Sequence, residues 1–73
     1  MKQPTDRQRA ILTRMAAGDR LIYVDGESAL CLITSEGVFR DRVYGGMRHR
    51  LTRNGWLKGR EITDAGRAAL ADR

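Results

Sequence analysis

Most of the side chains that could do chemistry in this chain are cations, and many of them lie in one stretch. Guanidinium, ammonium and imidazole groups can donate hydrogen bonds and positive charge to phosphates, base edges or carboxylates. The candidate partner-binding residues are Arg42, Arg48, His49, Arg50, Arg53, Lys58 and Arg60. The whole chain has 14 basic and 9 acidic residues, which gives a formal net charge of +5. This balance favours an anionic partner, most commonly nucleic acid.

The remaining reactive residue types predict no catalytic, metal or cofactor site. The acidic residues are spread singly, and nothing in the pattern would orient His49 as a catalytic base. Cys31 is the only cysteine, so an internal disulfide is impossible, and one cysteine with one histidine supplies too few ligands for structural zinc. Its neighbours Leu30 and Leu32 indicate that Cys31 is a small core residue. We therefore expect the protein to act by binding and not as an enzyme.

The length and the hydropathy pattern predict one domain in the cytoplasm. A chain of 73 residues provides a single hydrophobic core, so the predicted domain covers residues 1–73. No apolar run approaches the ~20 residues of a membrane span. The N-terminal residues lack the apolar stretch of a signal peptide, and the lone cysteine is typical of a reducing compartment. No membrane partner is expected.

The N-terminal residues predict a helix from Asp6 to Ala17. Thr5 is a suitable N-cap, and Gln8 three residues later completes a capping box. Apolar residues then recur on one helical face, and Gly18 is typical of the position after a helix C-terminus.

A small antiparallel sheet is predicted next. Strand-forming runs occur at residues 21–24, 29–34 and 38–40. The Asp25-Gly26 pair between the first two runs is a strong hairpin signal.

The basic stretch itself predicts a second helix from Arg42 to Asn54, capped by Asp41. Its apolar residues recur at helical spacing and predict the buried side, which consists of Val43, Tyr44, Met47 and Leu51. The cations are predicted on the rest of its surface, with Arg42, His49 and Arg53 opposite the core and Arg48 and Arg50 along the two edges.

Gly45 and Gly46 within this stretch leave two interpretations open. In the first, both glycines lie inside the helix, where each lowers its stability by about 1 kcal/mol relative to alanine. Close approach of the helix backbone to a partner would offset this loss. Alternatively, the pair forms a turn and the helix begins near Met47. Under both interpretations the cations from Arg48 to Arg53 remain helical.

A return hairpin and a last helix complete the predicted order of elements. Trp56-Leu57 and Glu61-Ile62 are expected to pair around a turn at residues 58–60, with Trp56 as a core anchor. Thr63 is the predicted cap of a helix from Asp64 to about Ala71, with Ala65, Ala69 and Leu70 facing inward. The predicted class is α+β, a small winged-helix-like domain with the order helix, small antiparallel sheet, helix, short wing, helix.

The C-terminal third resembles winged-helix transcription regulators. Residues 51–57 (LTRNGWL) and 61–70 (EITDAGRAAL) are similar to the end of that family's recognition helix and to the "Leu/Ile-Thr-x-x-Gly-x-x-x-Leu" start of its last helix. The resemblance implies double-stranded DNA binding through the helix at residues 42–54 and the wing at residues 58–60. The segment at residues 21–39 departs from the family, which has a helix there, and the wing is short.

Two further resemblances concern the start of the chain and the chain as a whole. Its start, RQRAIL at residues 7–12 and MAAGDRL at residues 15–21, is similar to that of the small bacterial YjhX-like proteins. Its length, composition and layout resemble those of small phage-encoded regulators that bind host RNA polymerase and alter initiation or termination. The latter resemblance implies a protein partner in the host cytoplasm.

Three functional hypotheses follow. The first is a regulator that binds host RNA polymerase as a phage-type inhibitor of initiation or as an antiterminator. The second is a winged-helix repressor that binds double-stranded DNA, and the third is a toxin-like or adaptor protein. DNA readers of this class usually dimerise, whereas this chain has no predicted helix to spare for a dimer interface. We therefore expect a monomer, which slightly favours the first hypothesis.

Overall fold

Three helices, a three-stranded sheet and a short hairpin make up the computed structural model, which describes residues 3–23 and 29–71. The predicted α+β class is thereby confirmed. In chain order the elements are α1 (Asp6–Ala16), β1 (Arg20–Tyr23), β2 (Leu30–Ile33), β3 (Phe39–Val43), α2 (Gly45–Arg53), β4 (Leu57–Lys58), β5 (Glu61–Ile62) and α3 (Asp64–Ala71). The predicted Asp25-Gly26 turn lies outside the described residues.

The local signals at both ends of α1 are confirmed. The Thr5 hydroxyl accepts a hydrogen bond from the Gln8 N–H at 3.2 Å, and the Gln8 side chain accepts one from the Thr5 N–H at 2.9 Å. Ala17 is the C-cap, and Gly18 follows it with a φ of +115°. That conformation lets the N–H groups of Gly18 and Asp19 bond to carbonyls of the last turn, as in a Schellman motif.

The strands pair antiparallel in the order β1-β2-β3, and their register separates two faces of the sheet. Residues directly opposite each other on paired strands point to the same side. The face toward the core carries Leu21, Tyr23, Leu30, Leu32, Asp41 and Val43. The other face, which we call the outer sheet face, carries Arg20, Ile22, Cys31, Ile33, Phe39 and Arg42. Of these, Cys31 is buried, as the sequence predicted. A register shift between Leu32 and Ile33 brings Phe39, and not Arg40, opposite Ile33.

The predicted start of the second helix is wrong. Asp41 and Arg42 lie in β3, where their backbones pair with β2, and the helix begins at Gly45 with Tyr44 as its N-cap. Asp41 is therefore no helix cap. β1 pairs with only one edge of the apolar strand β2. Pairing with β3 satisfies the backbone N–H and C=O groups on the other edge, and this is favoured over a longer helix. Tyr44, predicted to be buried, is 54% exposed.

The structure excludes the turn interpretation of the two glycines. Gly45 and Gly46 are the first two residues of α2, so both lie in the helix, which does not begin near Met47. At its other end α2 stops as predicted, with Gly55 at a φ of +78°. The N–H groups of Gly55 and Trp56 donate to the carbonyls of Thr52 and Leu51, which is again the Schellman pattern.

The predicted hairpin forms between β4 and β5, with Gly59 and Arg60 in its two-residue turn. Gly59 has a φ of +64°, and glycine at this first loop position is typical of a type II′ turn. We call Gly59-Arg60 the wing turn.

Thr63 links the hairpin and α3. Its hydroxyl accepts from the Gly66 N–H at 3.0 Å, as a helix cap does, and donates to the Gly55 carbonyl. In α3, Ala69 and Leu70 pack partly buried against the core as predicted, but Ala65 is exposed. Since Gly66, and not Ala65, faces inward, the helix is rotated by about one residue from the prediction.

One hydrophobic core joins these elements. α1 packs against α3 and β5, and α2 packs against β4. The Arg9 guanidinium also donates to the Leu70 carbonyl near the C-terminus of α3, where a cation is favoured by the helix dipole. The buried core residues are Ile11, Leu12, Met15, Leu21, Leu30, Leu32, Val43, Leu51, Trp56 and Leu57. Trp56 is thus a core residue, as expected.

Candidate functional site

The segment from residue 42 to residue 60 concentrates positive charge. It contains five arginines and one lysine but none of the chain's 9 acidic residues. Among the described residues, no ion pair joins a carboxylate to Arg48, His49, Arg50 or Arg53, and all four are exposed. These four side chains of α2 are therefore available to a partner.

Leu51 sets the orientation of the cations on α2. It is completely buried, and successive residues are separated by about 100° around the helix axis. His49 and Arg53 consequently point away from the core. Arg48 lies along one edge of the helix and Arg50 along the other, as the sequence predicted.

A groove runs along the Arg48 edge of α2, between this helix, the end of the sheet and the wing turn. We call it the α2 groove. Its lining residues are Tyr23, Leu30, Arg48, Thr52, Gly59 and Arg60. It is adjoined by a smaller hollow that also contacts Tyr23, Leu30 and Arg48 and that extends to Val43 and Gly45. No described lining residue of either depression is acidic, so the two arginines give the groove a positive potential.

Gly45 contributes to this shape because it lacks a side chain. A Cβ atom on Gly45 or on Gly46 would meet no other atom within 4 Å. Packing inside the domain therefore does not require glycine at either position. Both residues have helical φ values below zero, so the backbone conformation does not require it either.

The two cations of the hairpin are placed differently. Arg60 lines the α2 groove from the wing turn. Lys58 lies in β4 directly opposite Glu61 of β5, so an acidic neighbour offsets its charge. Arg48 of α2 and Arg60 of the hairpin turn thus line the same groove.

Arg42 does not belong with the helix cations. It lies on the outer sheet face, with its guanidinium carbon 5.4 Å from the centroid of the Phe39 ring. Its neighbour Asp41 forms an ion pair with Arg7 of α1, with 3.1 Å between the guanidinium nitrogen and the carboxylate oxygen. The prediction that Arg42 lies on the second helix, opposite the core, is wrong, because β3 places this residue on a different element and face.

Tyr23 and Thr52 are groove residues that the sequence interpretation missed. Thr52 lies one helical turn beyond Arg48, so helical spacing could have identified it. Tyr23 is distant in the chain from α2, and only the pairing of β1 with β2 brings it to the groove.

Within residues 3–23 and 29–71, no group of three or more histidine, cysteine or acidic side chains is arranged to hold a metal ion. None of the helices in the same ranges is long and apolar enough to cross a bilayer.

The comparisons with known proteins give no relative. No protein-family model, no curated protein and no solved structure matches the chain.

Proposed function

We propose that this protein regulates transcription by binding, without catalysis, and that α2 and the wing turn contact double-stranded DNA. One observation carries the proposal. Arg48 of the helix and Arg60 of the wing turn line the same groove, and no described acidic residue lines it with them. A duplex presents phosphates at regular intervals, and neighbouring arginines on a helix and a loop can neutralise them.

The exposed surface of α2 adds to this argument. His49 and Arg53 point outward beside the small surface of Gly45 and Gly46. Missing side chains allow a helix backbone to approach DNA closely, while arginine can reach phosphates and guanine edges. This arrangement supports a winged-helix mode of docking in which α2 faces the major groove and the wing turn the adjacent backbone.

RNA polymerase is the second candidate partner. α1 packs against α3, and α2 packs against β4, so within the described residues no helix is left over for a dimer interface. A monomer with a helix of nine residues contacts one short DNA site, whereas DNA readers of this class gain affinity from two half-sites. Docking on polymerase would supply the missing contacts, and arginines pair well with carboxylates.

Titration of a fluorescent DNA duplex at several salt concentrations tests the first candidate. The affinity of the unaltered protein should fall steeply between about 50 and about 200 mM salt. The double variant Arg48→Ala, Arg53→Ala should bind more weakly, with the salt slope reduced by about two. The matched control Arg14→Ala, Arg67→Ala removes the same charge from exposed positions of α1 and α3 and should keep most of the affinity.

The outcome separates the two partners. Equal loss in both double variants would mean that only net charge matters, which contradicts a site on α2. If the duplex does not bind, a pull-down of purified bacterial RNA polymerase after nuclease treatment tests the second candidate. Retention that depends on Arg48 and Arg53 supports it, and absence of retention rejects it. Circular dichroism should show that both double variants remain folded, because the four side chains are exposed.

A further inference from the structure

Tyr23 is exposed although it lies on the face of the sheet toward the core. Its register partner Leu30 on β2 is buried, whereas Tyr23 is 69% exposed. The smaller hollow beside the α2 groove is lined by Tyr23 and Leu30 of the sheet and by Gly45 and Arg48 of α2. The end of the sheet therefore presents an aromatic side chain to an open space next to the helix.

The helix leaves this space open at its first residue. α2 begins with Gly45, and a Cβ atom there would meet no other atom within 4 Å. Neither packing inside the domain nor a positive φ requires glycine at this position. An exposed aromatic side chain beside an unfilled hollow is an arrangement that can receive a ligand.

Cations line the α2 groove together with the aromatic residue. Arg48 and Arg60 share it with Tyr23, and no described lining residue is acidic. Among the described residues, neither guanidinium forms an ion pair with a carboxylate. The groove has a volume of about 580 Å³, within the range of about 300–1,000 Å³ that is usual for small-molecule sites. It can therefore hold a group that combines a flat ring with negative charge.

A nucleotide has this combination of a flat base and an anionic phosphate. Bases stack on aromatic side chains, and guanidinium groups bind phosphates. In an intact duplex the bases are paired and stacked, so only an unpaired nucleotide can place its base in the groove. We propose that the α2 groove receives an unpaired nucleotide of a DNA strand, with its base against Tyr23 and its phosphate bound by Arg48 and Arg60. This inference rests on the proposed function, since it places that nucleotide beside the duplex that α2 contacts.

Two other occupants fit less well. A phosphate of an intact duplex would pair with the arginines but would leave the Tyr23 ring uncovered. An acidic peptide with an aromatic residue would match the groove itself. A DNA strand also offers regularly spaced phosphates to Arg53 on the adjoining exposed surface of α2, whereas a peptide would need carboxylates at the same spacing.

Fluorescence anisotropy of the full chain with matched DNA probes tests the inference. The probes are a blunt duplex, the same duplex with a short 3′ or 5′ single-stranded overhang, and the same overhang built from abasic sites. An overhang should strengthen binding relative to the blunt duplex, and the abasic overhang, which keeps the phosphates, should lose most of this gain. Tyr23→Ala should lower the affinity for the overhang about fivefold or more. Tyr23→Phe should retain the affinity because phenylalanine keeps the ring.

Phe39→Ala is the matched control for loss of an aromatic side chain. Phe39 is also exposed, but it lies on the outer sheet face and does not line the α2 groove. Its loss should leave the ratio of overhang affinity to blunt-duplex affinity unchanged. Circular dichroism should show that the variants remain folded, because both aromatic side chains are exposed.

The outcomes separate this inference from the proposed function. Tight binding of the blunt duplex with no gain from an overhang, or a gain that Tyr23→Ala leaves unchanged, would overturn the inference alone. Binding of the isolated single strand that depends on Tyr23, without binding of the blunt duplex, would support the nucleotide site and contradict duplex binding. Absence of binding to every DNA probe would overturn both.

Competition identifies the occupant of the groove. A free nucleoside monophosphate that displaces the overhang as effectively as the single strand does would overturn the assignment to a DNA strand and give the groove to a free nucleotide. Displacement by a peptide of Glu and Tyr residues at equally low concentration would give it to a protein partner. Weak displacement by both competitors is the result expected.

Discussion

Gly66 of α3 lies so close to the backbone of Trp56 that a Cβ atom on Gly66 would be 2.5 Å from the Trp56 carbonyl oxygen. It would also be 2.8 Å from Cγ1 of Ile62. This contact holds the start of α3 against the segment that leads from α2 into the hairpin. It provides a physical reason for the glycine in the "Thr-x-x-Gly" pattern at residues 63–66.

Gly66→Ala should therefore destabilise the protein. The Ile62 side chain could move aside, but the Trp56 carbonyl belongs to the backbone, so α3 must shift, at a cost of about 1–3 kcal/mol. Urea unfolding followed by circular dichroism measures the change in the free energy of unfolding. An equal or higher stability would contradict the close packing of α3 on Trp56.

Ala substitution of the other helical glycines should have the opposite effect. At Gly45 and Gly46 the new methyl groups meet nothing within 4 Å, and alanine is the better helix former. We expect the free energy of unfolding of the Gly45→Ala, Gly46→Ala variant to stay constant or to rise by up to about 1 kcal/mol per residue.

The same double variant should bind a DNA duplex more weakly than the unaltered protein. The added methyl groups stand on the exposed surface that the proposed function brings closest to DNA. Stability and affinity would thus change in opposite directions, which loss of structure cannot produce. Unchanged duplex affinity, measured by fluorescence anisotropy, would argue against close approach of α2 to DNA.

Thr63→Val should destabilise the junction between the hairpin and α3. Valine keeps the shape of threonine but removes the hydroxyl that bonds to Gly55 and Gly66. Loss of a helix cap and of a second hydrogen bond costs about 1–2 kcal/mol. The control Thr13→Val lies at an exposed position in α1 and should change the urea midpoint little. Similar midpoints for the two variants would show that the Thr63 hydroxyl does not stabilise the fold.

The ion pair between Arg7 and Asp41 should contribute little to stability. The side chains are 54% and 39% exposed, so water screens their 3.1 Å contact. A double-mutant cycle with Arg7→Ala and Asp41→Asn should give a coupling of less than about 1 kcal/mol, which decreases with added salt. A larger coupling would indicate that this pair fixes α1 to β3 more strongly than its exposure suggests.

The sequence by itself determined where most helices end and which residues cap them. Thr5 with Gln8, Gly18, Gly55 and Thr63 all act as their residue types predict. These features depend on hydrogen bonds between residues three to five positions apart, or at most eight in the bond from Thr63 to Gly55. The sequence also determined the α+β class and the concentration of charge between residues 42 and 60.

Only the tertiary structure decided where α2 begins and which cations lie together. Helical spacing alone extended α2 back to Arg42, but pairing with β2 drew Phe39–Val43 into the sheet and placed Arg42 over Phe39. The approach of Arg48 to Arg60 and Tyr23 likewise depends on three elements that meet at one groove. Strand pairing and packing join residues that are far apart in the chain, and no local pattern specifies those contacts.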